Sequence, residues 1–493
     1  MAFIKDWDKW NYEKRRSYQD RRLTDFLKNQ VVLFSPYYSK LHKDGKFPIE
    51  KFKSLDDLKN LPYTSKEDIA PTRENPDQPR KFILQPDPKT ITSMLTTNRK
   101  LSLLGRRIST GESFKSQLLT EYLPIFFTAT TGRTAGQVPF VYSHHDLMRL
   151  KESGRRLFEL GEMVPGKDTL LNVFPYAPHL AFWVVYYGAE VSKVPGFHSG
   201  GGKVLGTDRI LNLISSLKPT AIVGVPGYIY HLLRIASEKG LDLSSISLVA
   251  LGAERTTPGH RQKFREFLKT GGAKDINVLS TYGFTEARMA FMECIGGEGQ
   301  GYHLYPDMGI FEMINPETLE PVPDGNAGEV VFTSLDSRGT VVIRFRTGDY
   351  AVGGIINEPC PNCGRSVPRL SSNITRLSSQ KELYLTKIKG TKVNLASADE
   401  IIHSFSEIVE WQIEIGKVNN DPLETDIIML HISLKPGTEQ GALLQKLERK
   451  FYDVFEFSPN RINIEPTEKI LERLGMDTEI KEKRIIDRRG ELS

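Results

Sequence analysis

A chain of 493 residues with a formal net charge of only +5 is too long for one core of ordinary size and too weakly basic to suggest nucleic acid. Its 39% apolar and 26% charged residues suit a folded globular protein, and no run reaches the ~20 apolar residues that a membrane helix needs. The start, "MAFIKDWDKWNYEKRR", lacks the apolar centre of a signal peptide, and three cysteines cannot frame a disulfide scaffold, so a cytoplasmic, reducing location is expected.

Taken in chain order, the first 60 residues read as charged and helical, with Ser54 and either Thr64 or Ser65 placed as helix N-caps before acidic first turns. Residues 76–120 are basic and, after Pro71, carry Pro76, Pro79, Pro86 and Pro88, which reads as an irregular insertion able to meet an anionic partner. Between 125 and 350, apolar runs at 169–174, 219–225, 247–252 and 276–283 read as buried strands, and 208–217 and 259–268 as amphipathic helices. That alternation predicts an α/β fold with parallel strands and flanking helices. The polar stretch 371–380 suits a linker, and beyond it strands at 408–415 and 426–434 with a helix at 442–455 predict a small α+β domain. The boundary falls near 373, giving domains 1–373 and 374–493.

The stretch "IFFTATTGRTAGQVPF" (125–140) sets Thr128, Thr130, Thr131 and Gly132 beside Arg133. Small hydroxyl residues and glycine can wrap N–H and O–H donors around an anion, and an arginine adds charge-assisted bonds. No Walker loop can be drawn through it, and by itself it is equally a polar turn between two strands. Four further segments follow in order: "GAE" (252–254), "TYGFTE" (281–286), "FRTGD" (345–349) and "KIKG" (387–390). The series resembles the adenylate-forming superfamily of acyl-CoA synthetases, luciferases and peptide-synthetase adenylation domains. The resemblance is strongest to the phenylacetate–CoA ligase family, through "LPYTSKEDI" (61–69), "YYGAEVSKVPGFHSGGGK" (186–203), "KPTAIVGVPGYIYHL" (218–232) and residues 301–335.

The resemblance implies a large N-terminal domain of packed mixed sheets with flanking helices, a small mobile C-terminal lid, and ATP held between them. It implies that Thr128, Thr130, Thr131, Gly132 and Arg133 hold the β- and γ-phosphates. Gly252, Ala253 and Glu254 form one wall of an adenine slot, with Tyr282 and Gly283 on the other. Thr285 bonds the α-phosphate, Glu286 binds Mg²⁺ and Asp349 takes the ribose hydroxyls. These residue types suit such tasks: an aromatic face meets a purine, a carboxylate beside phosphates holds a hard cation, and an aspartate accepts from vicinal hydroxyls. Taken singly, Glu286 also fits a helix cap, Asp349 a strand end and Tyr282 a core aromatic. In "GMDTEIKEKRIIDRRG" (475–490) the resemblance makes Lys481 the catalytic lysine, although Ile480 replaces the usual glycine and Lys483 lies two residues on. A cation there stabilises the charge that collects as a carboxylate attacks the α-phosphorus.

The chain departs from the family's S-S-G-T-T-G-K-P at Ala129, Arg133 and Thr134. If position 129 needs a left-handed backbone, alanine costs roughly 1 kcal/mol there. At the hinge, "QKELYLTKIKG" (380–390) lacks the family's G-R-x-D-D, so either Arg376 or Lys381 takes the ribose-contacting role, with Lys389 beside it in the nucleotide site.

"CPNCGR" (360–365), "MEC" (292–294) and "GYH" (301–303) together offer Cys294, His303, Cys360 and Cys363, a four-ligand set that fits a closed, structural Zn²⁺. The family's acyl pocket maps to Tyr176, His179, Phe182 and Tyr228, whose aromatic character suggests an aryl or fatty acyl carboxylate. Three functions are therefore open. One is ATP-dependent acyl-AMP formation followed by thioester formation with CoA. The second is the same adenylation with transfer to a phosphopantetheine on an acyl carrier protein or to a protein thiol, and the third is a non-catalytic nucleotide-binding relative. Either a monomer or a homodimer is compatible with the sequence.

Overall fold

The computed structural model describes residues 4–93, 97–111, 113, 116, 119–130, 137–377, 383–384, 392–393, 398–421, 426–455, 457–475 and 482–489. It is a mixed α/β fold whose contacts divide it into two units, each assembled from separated stretches. The first comprises Met1–Asn172, Tyr176–His198 and Leu279–Ile374, and the second Val173–Pro175, Ser199–Val278 and Thr375–Ser493.

In the first unit, Asn11 caps the helix Tyr12–Phe26 by accepting the Lys14 N–H at 2.9 Å. Ser65 rather than Thr64 caps the short helix Lys66–Ile69, with Asp68 closing the capping box. The expected irregular course of 76–120 is corrected: Gln78–Phe82, Pro88–Ser93 and Thr97–Thr110 are all helical. The prolines masked this, yet Pro88 opens its helix, where the missing N–H costs nothing. Leu101, Leu104 and Ile108 recur at helical spacing on the third helix and are exposed, while Leu103 is buried.

A two-stranded antiparallel sheet pairs Pro124–Ala129 with Pro139–Ser143. Ser143 then caps the long helix His144–Leu160, exchanging hydrogen bonds with Asp146. This helix crosses Leu180–Ser192 where Gly154 meets Gly188, and a Cβ on Gly154 would lie 2.6 Å from the Gly188 Cα. Only glycine permits that approach. An antiparallel meander of Gly309–Ile314, Gly328–Ser334 and Phe345–Ala351 aligns Phe311, Phe332 and Phe345 across its strands. The N-terminal helices share this core: Trp7 meets Tyr305 edge-on at 5.1 Å, and fully buried Arg156 lies over both rings. Arg156 reaches both Asp307 oxygens at 2.7 Å and Glu152 at 2.8 Å, so its buried charge is fully partnered.

In the second unit, the parallel strands Ala221–Gly224 and Leu248–Leu251 are buried at every position, which is why they read as unbroken apolar runs. Helices Thr207–Leu217, Pro226–Glu238 and Pro258–Thr270 belong to the same stretch. Further on, a four-stranded sheet runs in the order Arg461–Ile464, Asp426–Leu434, Ile408–Lys417, Ile485–Asp487, with an antiparallel centre and parallel edges. Its core draws on Ile413, Ile415, Leu430 and Ile432 with Leu447 and Phe451 of the helix Gln440–Phe455.

Candidate active site

The threonine stretch begins inside a strand. Ala129 pairs with Pro139 as the last residue of Pro124–Ala129 and has no positive φ, so the expected backbone cost does not arise. Its N–H donates to the Pro178 carbonyl at 2.6 Å. Thr128 donates its hydroxyl to Tyr142 at 3.2 Å, and Thr130 accepts from the Val138 N–H at 3.1 Å while its own N–H donates to the Val138 carbonyl. Both threonines are buried and tie the two arms of the hairpin together. Thr131, Gly132, Arg133 and Thr134 lie outside the described residues.

The "TYGFTE" segment forms one side of a second hairpin, where Asn277–Phe284 pairs with Met289–Met292 and residues 285–288 make the turn. Thr285 and Glu286 therefore sit half-buried in a β-turn, and the helix-cap reading of Glu286 is corrected because no helix follows it. Gly283 faces Ala290 so closely that a Cβ would lie 3.1 Å from the alanine methyl. Tyr282 donates its hydroxyl to Asp349 Oδ2 at 2.9 Å, and its ring stacks on Tyr302 at 5.8 Å. Asp349 is buried within Phe345–Ala351, and its N–H donates to the Thr347 hydroxyl at 3.0 Å.

Arg288 holds the turn from beneath with an unusual φ of +56°. Its guanidinium donates to the Val141 carbonyl at 3.1 Å and to Ser337 at 2.7 Å, and lies 3.5 Å from Asp146. Burial pushes the Asp146 carboxyl up, but Arg288, His145 and backbone donors outweigh it and hold it below the usual carboxylate range.

Elsewhere, Gly252 donates its N–H to the Gly224 carbonyl at 3.1 Å, and Ala253 turns the chain with a φ of +71°. A left-handed alanine is a strained conformation of the kind held at functional sites. Glu254 follows, half-buried. Arg376 ends the short strand Ile374–Arg376 and is exposed. Lys381, Lys389 and Lys481 lie outside the described residues, whereas Lys483 is exposed and its N–H donates to the Leu474 carbonyl at 3.1 Å.

Among the expected pocket residues, Tyr176 packs edge-on against Phe182 at 5.3 Å and remains exposed, while Phe182 is buried against Trp183. His179 has a structural task beyond lining a pocket: its Nδ1–H donates to the Ala129 carbonyl at 3.0 Å, bracing the threonine strand. In the second unit, the Tyr228 hydroxyl lies 3.3 Å from that of Thr207 and packs tightly over Gly202.

Cys294, His303, Cys360 and Cys363 come together, with one ligand atom from each within 4.8 Å of the others. Cys294 Sγ lies 3.8 Å from Cys360 Sγ, and Cys363 Sγ lies 3.3 Å from His303 Nε2. The His303 Nδ1–H donates to the Met292 carbonyl at 3.3 Å, which aims the Nε2 lone pair at the thiols as in a metal-bound histidine. Three thiols and an oriented imidazole fit a tetrahedral zinc.

Residues 122–335 match the family described as AMP-binding enzyme. That segment holds the threonine stretch, "GAE" and "TYGFTE". It is 25% identical over 410 residues to a phenylacetate-coenzyme A ligase of Thermus thermophilus, covering 82% of this chain and 79% of that relative. A Pseudomonas putida phenylacetate-coenzyme A ligase is 28% identical over 254 residues, so the match spans about half of each chain, 51% and 52%. In fold, it is similar to 2-hydroxyisobutyryl-CoA ligase in the postadenylation state in complex with 2-HIB-AMP, with a TM-score of 0.73 at 19% identity over 100% of this chain and 95% of that one.

Sequence reading missed Tyr142 and Arg288. Arg288 stands two residues after Glu286, and a basic residue closing a β-turn beside an acidic motif was the available sign. Tyr142 carried no sign of its own, because its role depends on strand pairing with Thr128.

Proposed function

We propose that the protein is an AMP-forming acid–CoA ligase. A carboxylate oxygen attacks the α-phosphorus of ATP, the bond to the β-phosphate breaks and pyrophosphate leaves. The CoA thiolate then attacks the acyl carbonyl, a thioester forms and AMP departs with the bond electrons. The observation that carries this reading is the hydrogen bond to Asp349 from Tyr282, which with the neighbouring Thr285–Glu286 turn lies inside the segment 122–335 that matches AMP-binding enzyme.

In this reading Tyr282 presents its face to adenine, Asp349 accepts from the ribose hydroxyls, Thr285 bonds the α-phosphate, and Gly252, Ala253 and Glu254 are assigned to the same nucleotide. Thr128 and Thr130 anchor the loop whose Thr131, Gly132 and Arg133 meet the outer phosphates. Glu286 is the ligand for Mg²⁺: a half-buried carboxylate in a tight turn fits a hard cation, which neutralises phosphate charge when bound. Lys481 stabilises the attacking transition state, and residues 374–493, pivoting near Arg376 and Lys389, act as the lid. The acyl group is aryl or fatty, in line with Tyr176, Phe182 and Tyr228. Zinc at Cys294, His303, Cys360 and Cys363 would be structural and would add its binding energy to folding. The catalytic cycle takes place in the cytoplasm.

A second acceptor, the phosphopantetheine of an acidic carrier protein or a protein thiol, is favoured by the basic helix Thr97–Thr110 with its exposed Leu101, Leu104 and Ile108. Pyrophosphate exchange with aromatic, medium-chain and long-chain acids tests the first half-reaction. Thioester formation with free CoA or with a loaded carrier then decides the acceptor. No exchange with any acid, together with ATP binding unchanged by Lys481→Ala, sinks both enzyme readings and leaves a non-catalytic nucleotide-binding protein.

A further inference from the structure

A second group of metal-ligand side chains lies in the second unit, apart from the cysteine cluster. Asp399 and His403 stand four residues apart on the helix Ala398–His403 and so share one face. His260 comes from the first turn of the helix Pro258–Thr270. One ligand atom from each of the three lies within 4.8 Å of the others. Asp399 Oδ1 is 3.0 Å from His403 Nδ1, Asp399 Oδ2 is 3.9 Å from His260 Nδ1, and the two imidazole centroids are 4.2 Å apart.

Backbone and packing both prepare this convergence. The Thr257 hydroxyl accepts the His260 N–H at 3.2 Å and fixes the start of its helix. Gly259 lets the other helix in: a Cβ there would lie 2.8 Å from the His403 Cβ. The His403 Nδ1 faces Asp399, 2.7 Å from its backbone carbonyl and 3.0 Å from Oδ1, which holds the imidazole against the cluster. The His260 and His403 side chains are only 8% and 11% exposed and that of Asp399 21%, so the group is shielded yet reachable from solvent.

We infer that His260, Asp399 and His403 bind a divalent zinc ion that links the helix Pro258–Thr270 to the helix Ala398–His403. Two imidazole nitrogens and one carboxylate oxygen form a donor set suited to a borderline cation rather than to Mg²⁺ or Ca²⁺. Three protein ligands leave a position for water, so this ion exchanges more readily than one in a closed four-ligand site. The bond across the two helices stabilises their contact by mass action as zinc concentration rises. The ordinary alternative is a helical Asp399–His403 ion pair with His260 packed against it, which predicts no metal affinity.

Cobalt titration of the whole chain, stripped of metal first, separates this site from the cysteine cluster, because only the cluster gives thiolate-to-cobalt charge-transfer absorption. We expect one equivalent of Co²⁺ to bind without that absorption, to be displaced by Zn²⁺, and to raise the thermal midpoint. Asp399→Asn and His260→Gln should each weaken this equivalent by more than about 100-fold while the thiolate absorption stays unchanged. Matching circular dichroism and chelated melting curves establish that the variants are folded. Absence of a thiolate-free equivalent in the natural chain, or its survival in both variants as adventitious surface binding, overturns the proposal.

Discussion

The hydroxyl of Tyr282 donates to the carboxylate of Asp349 at 2.9 Å across 67 residues of sequence, fixing the carboxylate assigned to the ribose. A hydrogen bond to a carboxylate is worth about 1.5–3 kcal/mol, so Tyr282→Phe should raise the KM for ATP by at least roughly 10-fold and leave the limiting exchange rate nearly unchanged. Asp349→Ala removes two charge-assisted bonds of about 1.5–3 kcal/mol each, and kcat/KM for ATP should fall by about 100-fold or more. Equal effects from the two variants in steady-state exchange would contradict the assigned roles.

Glu286 is expected to act through Mg²⁺. Glu286→Gln should lower pyrophosphate exchange by on the order of 100-fold and move its Mg²⁺ dependence to higher concentration. A proportional loss at every Mg²⁺ concentration would instead assign Glu286 to the shape of the turn.

Removing the metal from the cysteine cluster should destabilise the first unit. In the Asp399→Asn background, where only the cluster is left to bind, zinc is expected at one equivalent by mass spectrometry, and its chelation or Cys360→Ser should lower the thermal midpoint by more than about 5 °C. A midpoint unmoved by complete chelation would show that the three thiols pack without metal.

His145 supplies a pH test. Burial and the nearby Arg338 charge push its imidazole below the ordinary 6.5, against the pull of Asp336, whose carbonyl lies 2.8 Å away. The unfolded chain therefore takes up a proton that the folded chain refuses, and stability present above pH 6.5 is lost as the pH falls through it. The slope from this group is at most about 1.4 kcal/mol per pH unit. Asp336, held well below 3.8 against its burial by Arg338, His145 and Arg22, adds its own loss only in stronger acid. Urea midpoints between pH 7.5 and 5.5 should fall less for His145→Gln than for the natural chain; parallel curves would remove His145 from the account.

Much of the secondary structure was legible because burial writes itself into apolar runs. Strands Ala221–Gly224 and Leu248–Leu251 have no solvent-facing residue to break the pattern. Thr97–Thr110 was not legible because upstream prolines suggested loop, although Leu101, Leu104 and Ile108 already had helical spacing. At the site, spacing pointed to the cysteines and His303 as one group, since C-x-x-C is a local signal. The partnerships of His179 with Ala129 and of Tyr282 with Asp349 are tertiary, and no local pattern encodes them. The same holds for His260, whose partners lie more than a hundred residues downstream.

The cysteine cluster also sets an order of events during synthesis. Cys294 leaves the ribosome 66 residues before Cys360. At roughly 5–20 residues per second, the earlier thiol and His303 wait for several seconds without their partners. During that interval the "TYGFTE" hairpin has been made but Cys360 and Cys363 have not, and Cys294 lacks the burial it has in the folded chain. A newly made chain is therefore most vulnerable just after the hairpin emerges, and becomes secure only once "CPNCGR" has followed it out.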